Sequence, residues 1–111
     1  MNKLGEKHDK GKQTWLAMPL EVLEDLAYVF AAGEKKYRLF NCLKDFEDSD
    51  RRFYDALMRH QKDCQIDPLA IDEETGCYHQ AQVAWNAIMR LYHAKKRKER
   101  QDAELIRPRV G

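Results

Sequence analysis

Glycine is sparse and scattered in this chain, five in 111 residues, so no glycine-rich loop is present to wrap a phosphate. Cysteine is scarcer still. Cys42, Cys64 and Cys77 make an odd count with no Cys-x-x-Cys pair, which argues against a zinc site or a disulfide framework and for three reduced thiols. No apolar run approaches the roughly 18 residues of a membrane span, and the first seven residues lack the apolar stretch of a signal peptide. The expectation is a cytoplasmic chain with no membrane partner. An excess of one charge is missing as well: 20 Lys and Arg stand against 19 Asp and Glu, a net charge of +1. Nothing global therefore draws the chain to nucleic acid. Internal repeats, low-complexity segments and strand-like alternation are absent too.

What remains is 43% apolar and 35% charged, with apolar residues recurring at helical period. The expected architecture is all-α: a bundle of three principal helices plus short helical turns, completed by oligomerisation. Residues 1–14 read as a flexible lead-in, 15–104 as one domain, and 105–111 as a frayed tail.

The first helix begins at Pro19, with Glu21, Glu24 and Asp25 near its positive end. Leu20, Leu23, Ala27, Phe30 and Ala31 mark its buried face, broadened by Val22, Leu26 and Val29, and Gly33 is the natural stop. Residues 33–48 form a turn-rich connection that puts Lys36, Tyr37 and Asn41 close together. Asp48 or Ser49 caps the second helix, which runs to about Gln65. There Arg52, Asp55, Arg59 and His60 lie together, Asp55 and Arg59 as an i,i+4 pair. The acidic turn Asp72-Glu73-Glu74-Thr75-Gly76 opens a long third helix that ends in the basic run of residues 95–100. His79, Gln82, Asn86, Arg90 and His93 fall at offsets of 3, 4, 4 and 3, one polar stripe along that helix. Such a stripe is solvated surface or the wall of a polar site.

Carboxylates suit a hard cation such as Mg²⁺ or Mn²⁺, Lys and Arg neutralise phosphate, and an aromatic ring stacks on a base. The inventory fits metal-assisted hydrolysis of a nucleotide, and nothing fits a Ser or Cys nucleophile. The basic run is diluted by Glu99, Asp102 and Glu104, which argues against nucleic acid as its partner. The His8-Asp9 pair, familiar from one class of metal phosphohydrolases, lacks that class's remaining ligands.

The ordered series becomes specific when taken together. It runs Asp9-Lys10-Gly11-Lys12, Pro19 with Glu24-Asp25-Leu26-Ala27, then Gly33-Glu34-Lys35-Lys36-Tyr37 with Asn41. Arg52 with Asp55-Ala56-Leu57-Met58-Arg59-His60 follows, and then Asp72-Glu73-Glu74-Thr75-Gly76 with His79 and Asn86. Over about residues 9–92 it resembles the dATP/dGTP diphosphohydrolase (N-terminal domain) family of phages and prophages, which looks related to MazG-type all-α nucleoside triphosphate pyrophosphatases. The resemblance implies cleavage of a purine deoxynucleoside triphosphate to monophosphate and pyrophosphate with Mg²⁺ or Mn²⁺. It implies a dimer or tetramer, in the host cytoplasm for a phage-encoded chain. On the residues themselves, the candidate metal ligands are Asp55, Asp72 and Glu73. Lys36, Arg52 and Arg59 meet phosphates, and Tyr37 and Asn41 meet the nucleoside. Asn86 completes the substrate-binding set, and His60 and His79 are catalytic. Where the family tends to have Asn-Trp this chain has Asn41-Cys42, and where it often has a second histidine this chain has Gln82. Where the MazG-type metal site has a Glu-x-x-Asp, the comparable helix of this chain offers His79 and Gln82. That departure motivates an alternative, a non-catalytic phage-encoded helical module that binds a nucleotide or a host protein.

Overall fold

The computed structural model describes residues 4–8 and 10–106. Asp9, and residues 107–111 of the expected tail, lie outside the described residues. Three helices carry the architecture, α1 (Leu20–Lys36), α2 (Ser49–Cys64) and α3 (His79–Leu105), with a single 3₁₀ turn at Asn41–Leu43. No strand occurs among the described residues, and the fold is all-α. No helix there is long and apolar enough to cross a membrane.

Pro19 starts α1 as expected, its carbonyl accepting from the backbone N–H groups of Val22 and Leu23 at 3.0 Å. Gly33 does not stop the helix, which continues through it to Lys36. Glycine permits a left-handed stop but does not impose one, and Glu34, Lys35 and Lys36 are good helix formers that sit well at this end. The α1 face expected to be buried is mostly not. Val29 alone is buried, while Leu20 and Val22 are 76% and 56% exposed.

The cap of α2 also differs from expectation. Asp48 occupies the position at φ 60°, but its side chain makes no capping bond and instead accepts from Arg51 Nε at 2.6 Å. Ser49 Oγ donates to Asp45 Oδ1 at 2.6 Å. Helix α3 begins three residues after Gly76, because residues 70–79 fold back on themselves first. Asp72 N donates to Cys77 O at 2.8 Å, Gly76 N to Asp72 O at 2.7 Å and His79 N to Ala70 O at 2.9 Å. The fold-back is closed by Gly76 at φ 76°, a left-handed conformation that costs other residues about 1–2 kcal/mol. A Cβ there would meet nothing within 4 Å. Gly76→Ala is therefore expected to destabilise the chain by about 1–2 kcal/mol through backbone strain alone, with Gly76→Asn recovering part of the loss. Equal melting temperatures for the Ala and Asn variants in thermal unfolding would contradict this.

The polar stripe of α3 faces inward. Gln82, Asn86 and His93 are 7%, 4% and 1% exposed, whereas Ile88 and Leu91 on the same helix are 39% and 62% exposed. Burying polar groups is tolerable only when they are bonded. Asn86 Nδ2 donates to Gln82 O at 2.8 Å, and His93 Nε2–H donates to Cys42 O at 2.8 Å, tying α3 to the 3₁₀ turn. The apolar interior is small. Phe53 is its centre, 5.4 Å from the Phe46 ring, 5.8 Å from Trp85 and stacked on His93 at 5.7 Å.

Much of the basic run is spent on the chain's own acids. Asp45 accepts from Arg97 Nε at 3.1 Å and from Arg100 Nη2 at 3.2 Å, Arg97 also reaches Ser49 Oγ, and Lys98 pairs with Asp102 at 2.9 Å. Hydrogen bonds from Arg97, then from Ser49, hold the Asp45 carboxyl well below the usual carboxylate range. Its side chain is 28% exposed, so solvent screens the pair. Asp45→Asn is expected to cost about 1–2 kcal/mol at neutral pH. The folded-state pKa lies below the unfolded value of about 3.9, so the contribution is complete above that pH and fades as acid titrates the folded carboxyl. The gap between the two proteins in urea unfolding should narrow below about pH 4; a constant gap down to strong acid would refute the assignment.

The chain is open for its size. Its accessible surface is 10035 Å² where a compact 13.2 kDa monomer has about 6,400 Å². Its radius of gyration is 19.4 Å, against about 13 Å for a compact chain of this length.

Candidate active site

The fold-back at 70–79 brings its two ends together, so Asp72 and His79 meet although six residues separate them. Across from them α2 presents His60. The Nδ1 atoms of His60 and His79 are 2.8 Å apart, a hydrogen bond in which one ring donates and the other accepts. Ligand atoms of His60, Asp72 and His79 all lie within 4.8 Å of one another, and all three residues are half-buried. Burial, and after it the neighbouring His79, pulls the His60 pKa below the ordinary histidine value, so His60 is neutral at neutral pH.

Asp72 is held by its own turn. Gln82 Nε2 donates to its Oδ2 at 3.0 Å, Thr75 Oγ1 to the same atom at 3.3 Å, and the Glu74 backbone N–H to Oδ1 at 3.0 Å. Burial alone would raise this carboxyl; the bonds from Gln82 and Glu74, with the nearby His79, leave it lowered and ionised. Gln82 thus serves to orient Asp72.

Two lobes of one cleft run from this cluster between the helices. The lobe of about 370 Å³ is lined by Lys36, His60, Asp72, Glu74, Thr75 and Gln82. The lobe of about 1040 Å³ is lined by Phe30, Phe40, Asn41, Phe46, Arg51, Arg52 and Asp55. Gly33, Tyr37, Ala56, Arg59, Trp85 and Asn86 belong to both, so the two are continuous. The larger lobe is of the size that ligand sites have, about 300–1,000 Å³.

Of the residues singled out in the sequence, the fold brings His60, Asp72 and His79 into one cluster. Lys36, Tyr37, Asn41, Arg52, Arg59 and Asn86 come to the adjoining cleft. Asp55 and Glu73 do not join Asp72. Asp55 lies in the larger lobe and takes its ion pair from Arg51 at 2.7 Å rather than from Arg59, because Arg51, four residues back on α2, bridges Asp48 and Asp55 at once. Glu73 is exposed and lines neither lobe. Arg51, Phe30, Phe46 and Trp85 were not foreseen as site residues. The Asp48-Arg51-Asp55 spacing could have revealed Arg51, while the aromatics carry no local signal beyond helical periodicity. Trp85 sets its ring edge-on to Phe30 at 5.9 Å, and its buried indole N–H has no acceptor among the described residues. Arg52 lies over the Phe46 ring at 5.0 Å, and Lys36 reaches Glu74 at 3.8 Å.

Such a cleft can hold a flat ring at its aromatic end and an anion among its arginines, next to two imidazoles and a carboxylate. The sequence model of a protein family described as dATP/dGTP diphosphohydrolase, N-terminal, matches residues 2–103. No curated protein and no solved structure matches the chain.

Proposed function

Since the chain belongs to the dATP/dGTP diphosphohydrolase N-terminal family, we propose that it hydrolyses a purine deoxynucleoside triphosphate to the monophosphate and pyrophosphate. The observation that carries the proposal is the continuity of the cleft, from an aromatic lobe through Arg59 to the His60–Asp72–His79 cluster. The base stacks among Tyr37, Phe40 and Phe46, with Asn41 at its edge. Arg52 and Arg59 neutralise the phosphates from α2, and Lys36 does so from the end of α1. Water adds to the α-phosphorus and the bond to the α–β bridging oxygen breaks. Pyrophosphate leaves, and it takes up the proton that the water gives off. A divalent ion, Mg²⁺ or Mn²⁺, would be held at Asp72 and would supply Lewis acidity toward the phosphoryl oxygens.

The proposal extends to assembly and place. Leu20, Val22, Ile88 and Leu91, all exposed, supply an apolar surface that further copies of the chain cover, as a dimer or tetramer. Sedimentation is expected to give a mass of at least twice 13.2 kDa. A nucleotide substrate puts the protein in the cytoplasm, the host's for a phage-encoded chain.

The test is a panel of purine and pyrimidine nucleoside triphosphates with Mg²⁺ and with Mn²⁺, followed by pyrophosphate release. Turnover of dATP or dGTP with equimolar monophosphate and pyrophosphate supports the reading. Release of single phosphates, or tight nucleotide binding with no turnover under either ion, overturns it; the latter result would favour a non-catalytic binding module.

A further inference from the structure

The cluster at the end of the cleft is not built as a site for a hard cation. We propose that His60, Asp72 and His79 bind one six-coordinate first-row transition ion, of the Mn²⁺ and Co²⁺ kind, in strong preference to Mg²⁺. The assignment rests on the same cluster as the proposed hydrolase and names its ion and its ligands.

The donor set comes first. Two imidazole nitrogens and the Asp72 carboxylate converge, their donor atoms all within 4.8 Å of one another. Mg²⁺ prefers oxygen donors and gives up water reluctantly, whereas later divalent ions accept imidazole. Two histidines and one carboxylate on one face of an ion leave its other face open. Two of the three, His60 and Asp72, line the same lobe as Lys36, Arg59 and Thr75.

Spacing comes next. The two Nδ1 atoms stand 2.8 Å apart. Donors about 2.05 Å from a shared ion lie about 2.9 Å apart at right angles and about 3.3 Å apart in a tetrahedron. The observed separation matches neighbouring positions of an octahedron.

Support is the third observation. Asp72 is already oriented by Gln82, Thr75 and the Glu74 backbone N–H, and His79 begins α3 with its own N–H bonded to Ala70 O. Partners of this kind fix ligand orientation in metal sites and set affinity. Asp63 Oδ2 lies 3.8 Å from the same His79 Nδ1 that faces His60, a further carboxylate at the edge of the cluster.

The experiment uses the full chain, stripped with chelator and free of nucleotide, titrated calorimetrically with Mn²⁺, Co²⁺ or Mg²⁺ alone. Mn²⁺ and Co²⁺ are expected to bind one per chain, at least about 30-fold tighter than Mg²⁺. His79→Gln and Asp72→Asn should each weaken Mn²⁺ by at least about 30-fold, while Glu73→Gln and Asp55→Asn stay within about twofold. Should a ligand variant fail to fold, pulsed electron paramagnetic resonance of the Mn²⁺-loaded unsubstituted chain decides, because two histidine nitrogens must couple to the ion. Mg²⁺ binding as tight as Mn²⁺, unchanged affinity in a folded His79→Gln, or no nitrogen coupling overturns the assignment. No step of the titration involves turnover. A chain that binds Mn²⁺ through these ligands but leaves dATP and dGTP intact would refute the hydrolase and leave the metal site standing.

Discussion

Replacing His79 with alanine is expected to reduce pyrophosphate release from dATP or dGTP by at least about 100-fold, as the loss of a ligand to the ion would. The imidazole belongs to the cluster at the end of the cleft, 2.8 Å from His60 Nδ1 and grouped with Asp72, at the first position of α3, although it lines neither lobe itself. Its removal leaves His60 Nδ1 without its partner in a half-buried place, at a stability cost of about 1 kcal/mol. The melting temperature should thus fall by only a few degrees while activity collapses. Glu73→Gln is the matched control. Its carboxylate is exposed and stands outside the cluster, so turnover should stay within about threefold, as surface substitutions usually leave a protein little changed. If Glu73→Gln abolished turnover and His79→Ala spared it, the catalytic centre would have to be sought on the acidic turn alone.

The largest effect on stability is expected from Phe53→Ala. The ring is 7% exposed and touches three others, Phe46, Trp85 and His93, which come from the connection before α2 and from α3. Truncating such a phenylalanine costs about 3–5 kcal/mol, the lost transfer energy plus the cavity left behind. A domain of this size has about 5–15 kcal/mol in all, so the variant should lose a large part of its stability. The same ring supports Trp85, which lines both lobes of the cleft, so substrate affinity should fall with stability. Phe53→Leu keeps most of the volume and should cost about half as much or less. Urea unfolding followed by circular dichroism reads both; equal midpoints for the Ala variant and the unsubstituted chain would mean that Phe53 is not the centre of this core.

The polar residues of α3 show where local reading stops. Their 3, 4, 4, 3 spacing correctly put Gln82, Asn86 and His93 on one face, but it did not say which way the face turns. Hydrophobicity argues for solvent, and the fold turns it inward, because each buried group finds a bond. Gln82 finds Asp72, Asn86 the helix backbone, and His93 the Cys42 carbonyl. The reverse holds for α1, whose apolar face was legible and yet stays largely uncovered in a single chain. In both cases a one-chain pattern was read without the partner surface that determines its burial.

What the sequence by itself determined is the set of helices, their approximate ends, and the residue types from which a nucleotide site is made. These follow from near-neighbour physics: periodicity, Pro19 at a helix start, and glycine at the turn before α3. Which groups meet was decided by tertiary structure. Asp55 found Arg51 rather than Arg59, Gln82 became the support of Asp72, and Glu73 was left in solvent while its neighbour entered the cluster. His60 lies 19 residues from His79, and only the packing of α2 on α3, with the fold-back closed by Gly76, brings their rings to hydrogen-bond distance. Spacing along a helix constrains neighbours a turn apart. A site assembled from two helices and a loop depends on how those elements pack, and local patterns do not encode that.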